Sequence, residues 1–321
     1  MATHNRKGGG TVRVLEKAER RLEEGKYYEA HQMYRTVYYR FMGQKRNDEA
    51  LNLVHKGASL LLEHKQFGSG LDLCLLTIER FITDKIAVSD ERLDQLAQLF
   101  HLFDGQEKPR AKFINAAIKW SSGGGDGYRY GHPYLHQLVA LACWKEGNYE
   151  RARHHFLYAD QMKDFSHMLI EMSTKLGYPG EYDLFITQAV LHLLVLQKVA
   201  VAHGVFVEYV DQHLAFPEST PPYKIPLLNF LWLLFRAIER KSVGVFRLLR
   251  VLYKPSLDRD EDYTLLLDKV GTFFFDEAVP PASQGLLDSI FGTMLSVFTD
   301  ADGTDVSAGA QLDVNDSAEL D

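Results

Sequence analysis

No proline occurs before Pro109, and apolar side chains return at helical spacing throughout that opening stretch. Proline breaks helices by removing an amide donor and clashing with the preceding turn, so its absence leaves long helices uninterrupted. The same periodicity runs almost to the end of the 321 residues, and no stretch alternates apolar and polar residues convincingly. The spacing predicts helices over 11–24, 26–43, 46–63, 66–84, 89–102, 108–120, 132–146, 148–161, 164–176, 181–199, 200–214, 225–240, 242–254, 260–275 and 284–298. Most connections are short, which makes neighbours antiparallel.

Residues 24–34 read EGKYYEAHQMY and residues 146–156 read EGNYERARHHF. Both give Glu-Gly-x-Tyr-x-x-Ala-x-x-x-aromatic. The glycine suits a left-handed helix cap, the tyrosine is expected to pack back on the preceding helix, and the alanine permits close approach. The pattern resembles the second-helix signature of tetratricopeptide repeats. Ala30, Ala50 and Gly70 continue it in equal steps, each one helix plus one turn long. These features predict an all-α fold, an α-solenoid of TPR-like antiparallel hairpins with about 14 to 15 helices.

Gly, Ser and Pro punctuate the array at 120–133, 215–226 and 276–283. The expected organisation is a disordered N-terminus at 1–10, an N-terminal half at 11–122, a C-terminal half at 131–298, and an acidic disordered tail at 299–321. That tail carries seven acids and no base, which accounts for the whole net charge of −7. The body is therefore close to neutral, which argues against general nucleic-acid binding. Residues 1–26 are mildly basic, with seven Lys/Arg against four Glu, as a solvated first helix would be. Cys74 and Cys143 lie in apolar helical runs, so reduced, buried thiols of a cytosolic protein are expected. No apolar leader follows Met1, and neither 184–202 nor 225–235 reads as a membrane span, so direct membrane insertion is not expected.

Chemistry is sparse. Gly8-Gly9-Gly10 and Gly123-Gly124-Gly125 lack the Gly-Lys-Ser/Thr that a phosphate loop needs. His132 and His136 could share a helix face, but Pro133 stands where a zinc protease motif has Glu, and it favours His132 as a helix cap. His154 and His155 are adjacent, so their rings diverge; one core-facing and one exposed imidazole is the expectation. No nucleophile elbow or reactive cysteine context occurs. No catalytic residue, metal or cofactor is expected, and the chain does not read as an enzyme.

Surfaces say more. The step from Tyr27 to Tyr38 is close to three whole helical turns, so the two share one helix face, with Tyr28 and Tyr39 on a second face. The first face belongs to an apolar stripe with Ala30, Tyr34, Val37 and Phe41. Tyr28, Gln32, Arg35 and Tyr39 lie on the flank, and tyrosine and arginine are residue types that dominate binding hot spots. In the C-terminal half, PLLNFLWLLF has no polar face before Arg236, and Phe273-Phe274-Phe275 raises the same question. Such segments are buried by their own chain or by a partner. Leu228, Trp232, Phe235 and Phe274 are the candidates for holding a docked segment.

YYEAHQMYRT (27–36), KWSSGG (119–124), GHPYLHQL (131–138), LWLLF within the apolar helix, YKPSLDRD (253–260) and GLLDSIFGTML with its acidic tail occur in order along nearly the whole chain. Together they resemble the Golgi-to-ER traffic protein four family, the helical adaptor of the guided-entry pathway for tail-anchored membrane proteins. The resemblance implies a cytosolic, non-enzymatic α-solenoid. Its N-terminal helices would dock a targeting ATPase through Lys17, Tyr28, Arg35, Arg46 and Asp72. Its C-terminal half would hold a ubiquitin-like protein or, in animals, a BAG-domain scaffold chaperone. Some members carry a β-hairpin before the apolar C-terminal helix; residues 215–226 are short and Pro-rich there, which favours the animal arrangement. The rival reading is a scaffold of a proteasome-lid- or signalosome-like assembly, whose relatives end in a winged helix with short strands.

Overall fold

A computed structural model describes residues 8–278, apart from 104, 106, 124–127 and 217–219. Fifteen helices make up its regular structure, and no strand occurs among the described residues. They are α1 (Gly8–Glu23), α2 (Tyr27–Gly43), α3 (Asn47–Glu63), α4 (Phe67–Thr83), α5 (Asp90–His101), α6 (Glu107–Ser122), α7 (Pro133–Lys145) and α8 (Tyr149–Tyr158). The second half adds α9 (Met162–Leu176), α10 (Tyr182–Val195), α11 (Val199–Gln212), α12 (Pro226–Glu239), α13 (Val243–Leu252), the single turn α14 (Lys254–Leu257) and α15 (Asp262–Phe275). Helix α1 begins inside the segment expected to lack structure. The expected helix 284–298 and the acidic tail lie outside the described residues.

The helices turn back on themselves by one repeated device. Gly25 has φ 74°, and the equivalent positions one repeat step further on each time, Lys45, Lys65 and Lys85, have φ 60°, 57° and 50°. At each, the next amide donates back across the turn: Lys26 to Arg21 O, Arg46 to Phe41 O, Gln66 to Leu61 O and Ile86 to Phe81 O. This is the Schellman closure, which satisfies carbonyls orphaned at a helix end. Gly147, Gln197 and Lys241 repeat it in the second half, with the same bond from Asn148, Lys198 and Ser242.

Side-by-side packing alternates. Helix α1 lies against α2, and α2 against α3 and α4; α3 packs on α5, α4 on α6 and α5 on α7. Lys56 of α3 bonds Glu19 of α1 at 2.6 Å, and Asp72 of α4 bonds α2, so odd and even helices form two layers. Further on, α9 packs on α11, α10 on α12, and α15 returns onto α10. The core runs continuously between the layers. Ala30, Ala50 and Gly70 are all buried in it. A Cβ on Gly70 would meet Leu62 Cδ2 at 2.5 Å, and one on Gly57 would meet the Tyr34 ring at 2.7 Å, so both glycines admit a neighbour that alanine would push away.

The repeat tyrosines reach forward to the next helix in the array. The Tyr27 ring meets His64, just past α3, at 5.3 Å, and the Tyr149 hydroxyl donates to Glu171 of α9 at 2.6 Å. Each tyrosine opens its helix, and the antiparallel turn brings the far end of the following helix alongside that start. Cys74 and Cys143 are buried and neither is in a disulfide, and burial pushes the Cys74 thiol up, away from reactivity. His132 caps α7, its Nδ1 accepting from the Tyr134 amide, with Pro133 in the first turn.

Candidate partner-docking surface

The doubled tyrosines of α2 separate as helical geometry requires. Tyr38 is buried and Tyr27 packs at the edge of the core, whereas Tyr28 is 73% exposed and Tyr39 is also exposed. Tyr28, Gln32, Arg35 and Tyr39 form one outward stripe about 16 Å long.

Asp72 of α4 organises the middle of that stripe. Arg35 Nη1 donates to both of its carboxylate oxygens at 2.9 Å. His31, buried beneath, lies with Nε2 2.8 Å from Oδ2. An ionised carboxylate only accepts, so His31 Nε2–H is the donor, and in the neutral ring Nδ1 is left to accept from Gln32 Nε2 at 3.4 Å. Arg35 Nη2 also reaches the Tyr39 hydroxyl at 3.5 Å. A charged fork fixed by a carboxylate and flanked by exposed rings has already given up its rotamer freedom before any partner arrives.

Three of the five residues named for the N-terminal surface, Tyr28, Arg35 and Asp72, therefore share one face across α2 and α4. Arg46 stands apart at the α2–α3 turn, paired with Glu49 through Nε at 2.6 Å and through Nη2, and stacked over Phe41 at 4.4 Å. Its hydrogen bonds hold the Glu49 carboxyl below its usual range. Lys17 is exposed on α1 in the other layer, in a charged cleft with Arg13, Glu16 and Arg20. Spacing in sequence could not reveal this division, because it depends on which layer each helix enters.

The C-terminal set needs correction. Leu228 is only 1% exposed and Phe235 8%, with the Phe235 ring against His203 and Phe206, so both are sealed in the chain's own core. They pack there because α12 lies between α10 and α13. Trp232 and Phe274 are half-buried against that core. Among the described residues of this half, α13 carries the most exposed large apolar side chains of any one helix, Val245, Leu248, Val251 and Leu252, which sequence reading overlooked. Its signal is VGVFRLLRVL, whose apolar residues circle a helix too short and too peripheral to bury them all.

His154 and His155 also differ from expectation, since neither is exposed. His136 Nε2–H donates to the Tyr130 carbonyl at 3.0 Å, leaving its Nδ1 to accept from His155 Nδ1–H at 3.0 Å. Burial drives the His136 pKa down to about 3 and the His154 pKa down to about 4, and drives His155 well below the usual range. These are neutral core groups. Among the described residues no cluster of His, Cys, Asp or Glu could hold a metal ion. A cleft of about 210 Å³ beside α3, α4 and α5 includes His55, whose Nε2 is 3.3 Å from the Gln95 carbonyl, and offers no nucleophile-base pair. No helix among the described residues is long and apolar enough to cross a membrane.

The fold and this stripe define an α-solenoid with a preformed aromatic and ionic surface on its N-terminal helices. Residues 44–295 match the family described as Golgi to ER traffic protein 4. The chain is 42% identical over 291 residues to the Golgi to ER traffic protein 4 homolog of Homo sapiens, covering 91% of this chain and 88% of that one. It is 40% identical over 307 residues to the homolog of Xenopus tropicalis, covering 95% and 93%. The crystal structure of C. therm. Get4 superposes with a TM-score of 0.75 at 24% identity, over 96% of this chain and all of that one, which supports the fold. This chain belongs to the Golgi to ER traffic protein 4 family. That membership sets aside the lid- or signalosome-like reading.

Proposed function

We propose that this chain is a non-enzymatic adaptor of a cytosolic complex that hands tail-anchored membrane proteins to a targeting ATPase for insertion into the ER. Its family membership supports a role in Golgi-to-ER traffic, and the α2–α4 stripe supports docking of a protein there. The single observation that carries the reading is Tyr28, a large ring left 73% exposed beside an arginine already held by Asp72. A central tyrosine of this kind contributes about 2 kcal/mol or more to an interface. Arg35 and Asp72, with Arg46 and Lys17 at the margins, suit fast and salt-sensitive encounter.

The C-terminal half holds the second partner, a ubiquitin-like protein or a BAG-domain scaffold chaperone. Trp232 and Phe274 remain its contact residues, since Leu228 and Phe235 lie inside the core. Tyr28→Ala should leave the circular dichroism spectrum unchanged, because the side chain supports no core, and should abolish capture of the targeting ATPase in a pull-down. Undiminished capture would refute the assignment.

A further inference from the structure

His31 is out of place among the buried residues of α2. Its companions there are Ala30, Tyr34, Val37, Tyr38 and Phe41, whereas His31 brings two ring nitrogens into a position that is only 7% exposed. Burying such a ring costs free energy unless its nitrogens find hydrogen-bond partners. An aliphatic side chain at the same place would need none. The bonds that satisfy the imidazole both run outward, to the stripe of Tyr28, Gln32, Arg35 and Tyr39. Its Nε2–H donates to Asp72 Oδ2 at 2.8 Å, and its Nδ1 accepts from Gln32 Nε2 at 3.4 Å.

Asp72 passes the constraint on. Its carboxylate, 37% exposed, is held from α2 by His31 and, one helical turn further along, by Arg35 on both oxygens. With Oδ2 fixed by the imidazole, the carboxylate has one orientation to offer the guanidinium. Without that bond it could turn about its own side-chain torsions, and Arg35 would turn with it. Arg35 Nη2 reaches another turn along to the Tyr39 hydroxyl at 3.5 Å. Tyr39 is 53% exposed, and its ring stands edge-on to buried Tyr38 with centroids 5.2 Å apart. Gln32, Arg35 and Tyr39 are thus joined through one buried ring and one carboxylate.

Resting on the reading of this stripe as a docking surface, we propose that His31 is its positioning residue: it fixes Asp72, Asp72 fixes Arg35, and Arg35 presents Tyr39 as the second contact ring beside Tyr28. The buried imidazole serves the surface and not the core. His31→Leu fills the same place without polar atoms, and water replaces the donor that half-exposed Asp72 loses, so the melting temperature should hold or rise. Arg35 and Tyr39 would then have to be ordered by the partner on binding, which weakens the complex about tenfold. The test uses the full-length purified chain as wild type, His31→Leu and His31→Gln, the last returning an amide donor. Nitrogen-15 relaxation of the Arg35 Nε–H should report an ordered side chain in wild type and His31→Gln and a mobile one in His31→Leu. Binding of the purified targeting ATPase should be about tenfold weaker for His31→Leu, restored by His31→Gln, and at least tenfold weaker for Tyr39→Ala. An Arg35 side chain that stays ordered in His31→Leu would overturn the proposal, as would a lower melting temperature in that variant or undiminished binding by Tyr39→Ala. If the wild-type chain captures no ATPase, the adaptor reading falls, and the Arg35 relaxation alone still decides whether His31 positions the stripe.

Discussion

At the scale of single residues, the informative groups are polar side chains whose surroundings decide their chemistry. His136, His154 and His155 are held neutral by burial, with His192 lowered for the same reason. In the unfolded chain each would titrate near about 6.5. Their folded values lie below that, so the unfolded state binds the extra protons as pH falls. The stability from keeping them neutral is complete above about pH 6.5 and is lost on acidification toward the folded values, at up to about 1.4 kcal/mol per pH unit for each histidine. The urea midpoint should therefore drop clearly between about pH 7.5 and about pH 5, and an unchanged midpoint would contradict the buried, neutral assignment. The sequence signalled the adjacent pair His154-His155 but not its setting. The partner of His155, His136, comes from another helix, and adjacency within one helix says nothing about that. Tyr28 was legible for the opposite reason: its outward direction follows from helix phase alone.

At the scale of helices, the repeat step was readable in Ala30, Ala50 and Gly70, and so were most helix limits to within a few positions. The turns were half readable. Gly25 and Gly147 announce a left-handed residue, whereas Lys45, Lys65 and Lys85 adopt the same conformation with a side chain that disfavours it. The closing hydrogen bonds and the packing on either side impose it. Lys65→Gly should therefore raise stability by about 1 kcal/mol, read as a higher melting temperature, because glycine enters that region without steric cost. A fall would mean that the Lys65 side chain contributes more than its backbone strain removes. The face of α13 was missed at this scale because apolar residues all round a helix do not reveal which side its neighbours will take.

At the scale of the whole molecule, neighbouring helices supply most of the contacts, and a few ion pairs fasten distant segments. Arg110 grips Glu146 with two bonds of 2.6 and 2.7 Å, and Lys198 joins the start of α11 to the end of α8 through Tyr158 O at 2.7 Å. Arg259 reaches far back along the chain to Asp183, at 2.6 and 3.1 Å. Asp183 is buried, so Arg259→Ala would strand a carboxylate and cost about 3 kcal/mol. In an array stabilised chiefly between neighbours, that loss should stay local. Hydrogen exchange should quicken in α10 and α15 and remain unchanged in α1–α4; a uniform increase would indicate a single cooperative block. The near-neutral body and the acidic run at 299–321 were plain from composition, whereas which helices these long ties would join was not, because nothing in local spacing encodes separations of this length. The bond from Asp72 to Arg35 has a mechanical consequence. It ties α2 to α4 in one layer while α3 sits in the opposite layer, so a pull on α2 also loads α4 and not the adjoining α3 alone. Release of α2 together with α3 would free about 40 residues, or about 140 Å of contour length, twice what one coil would give.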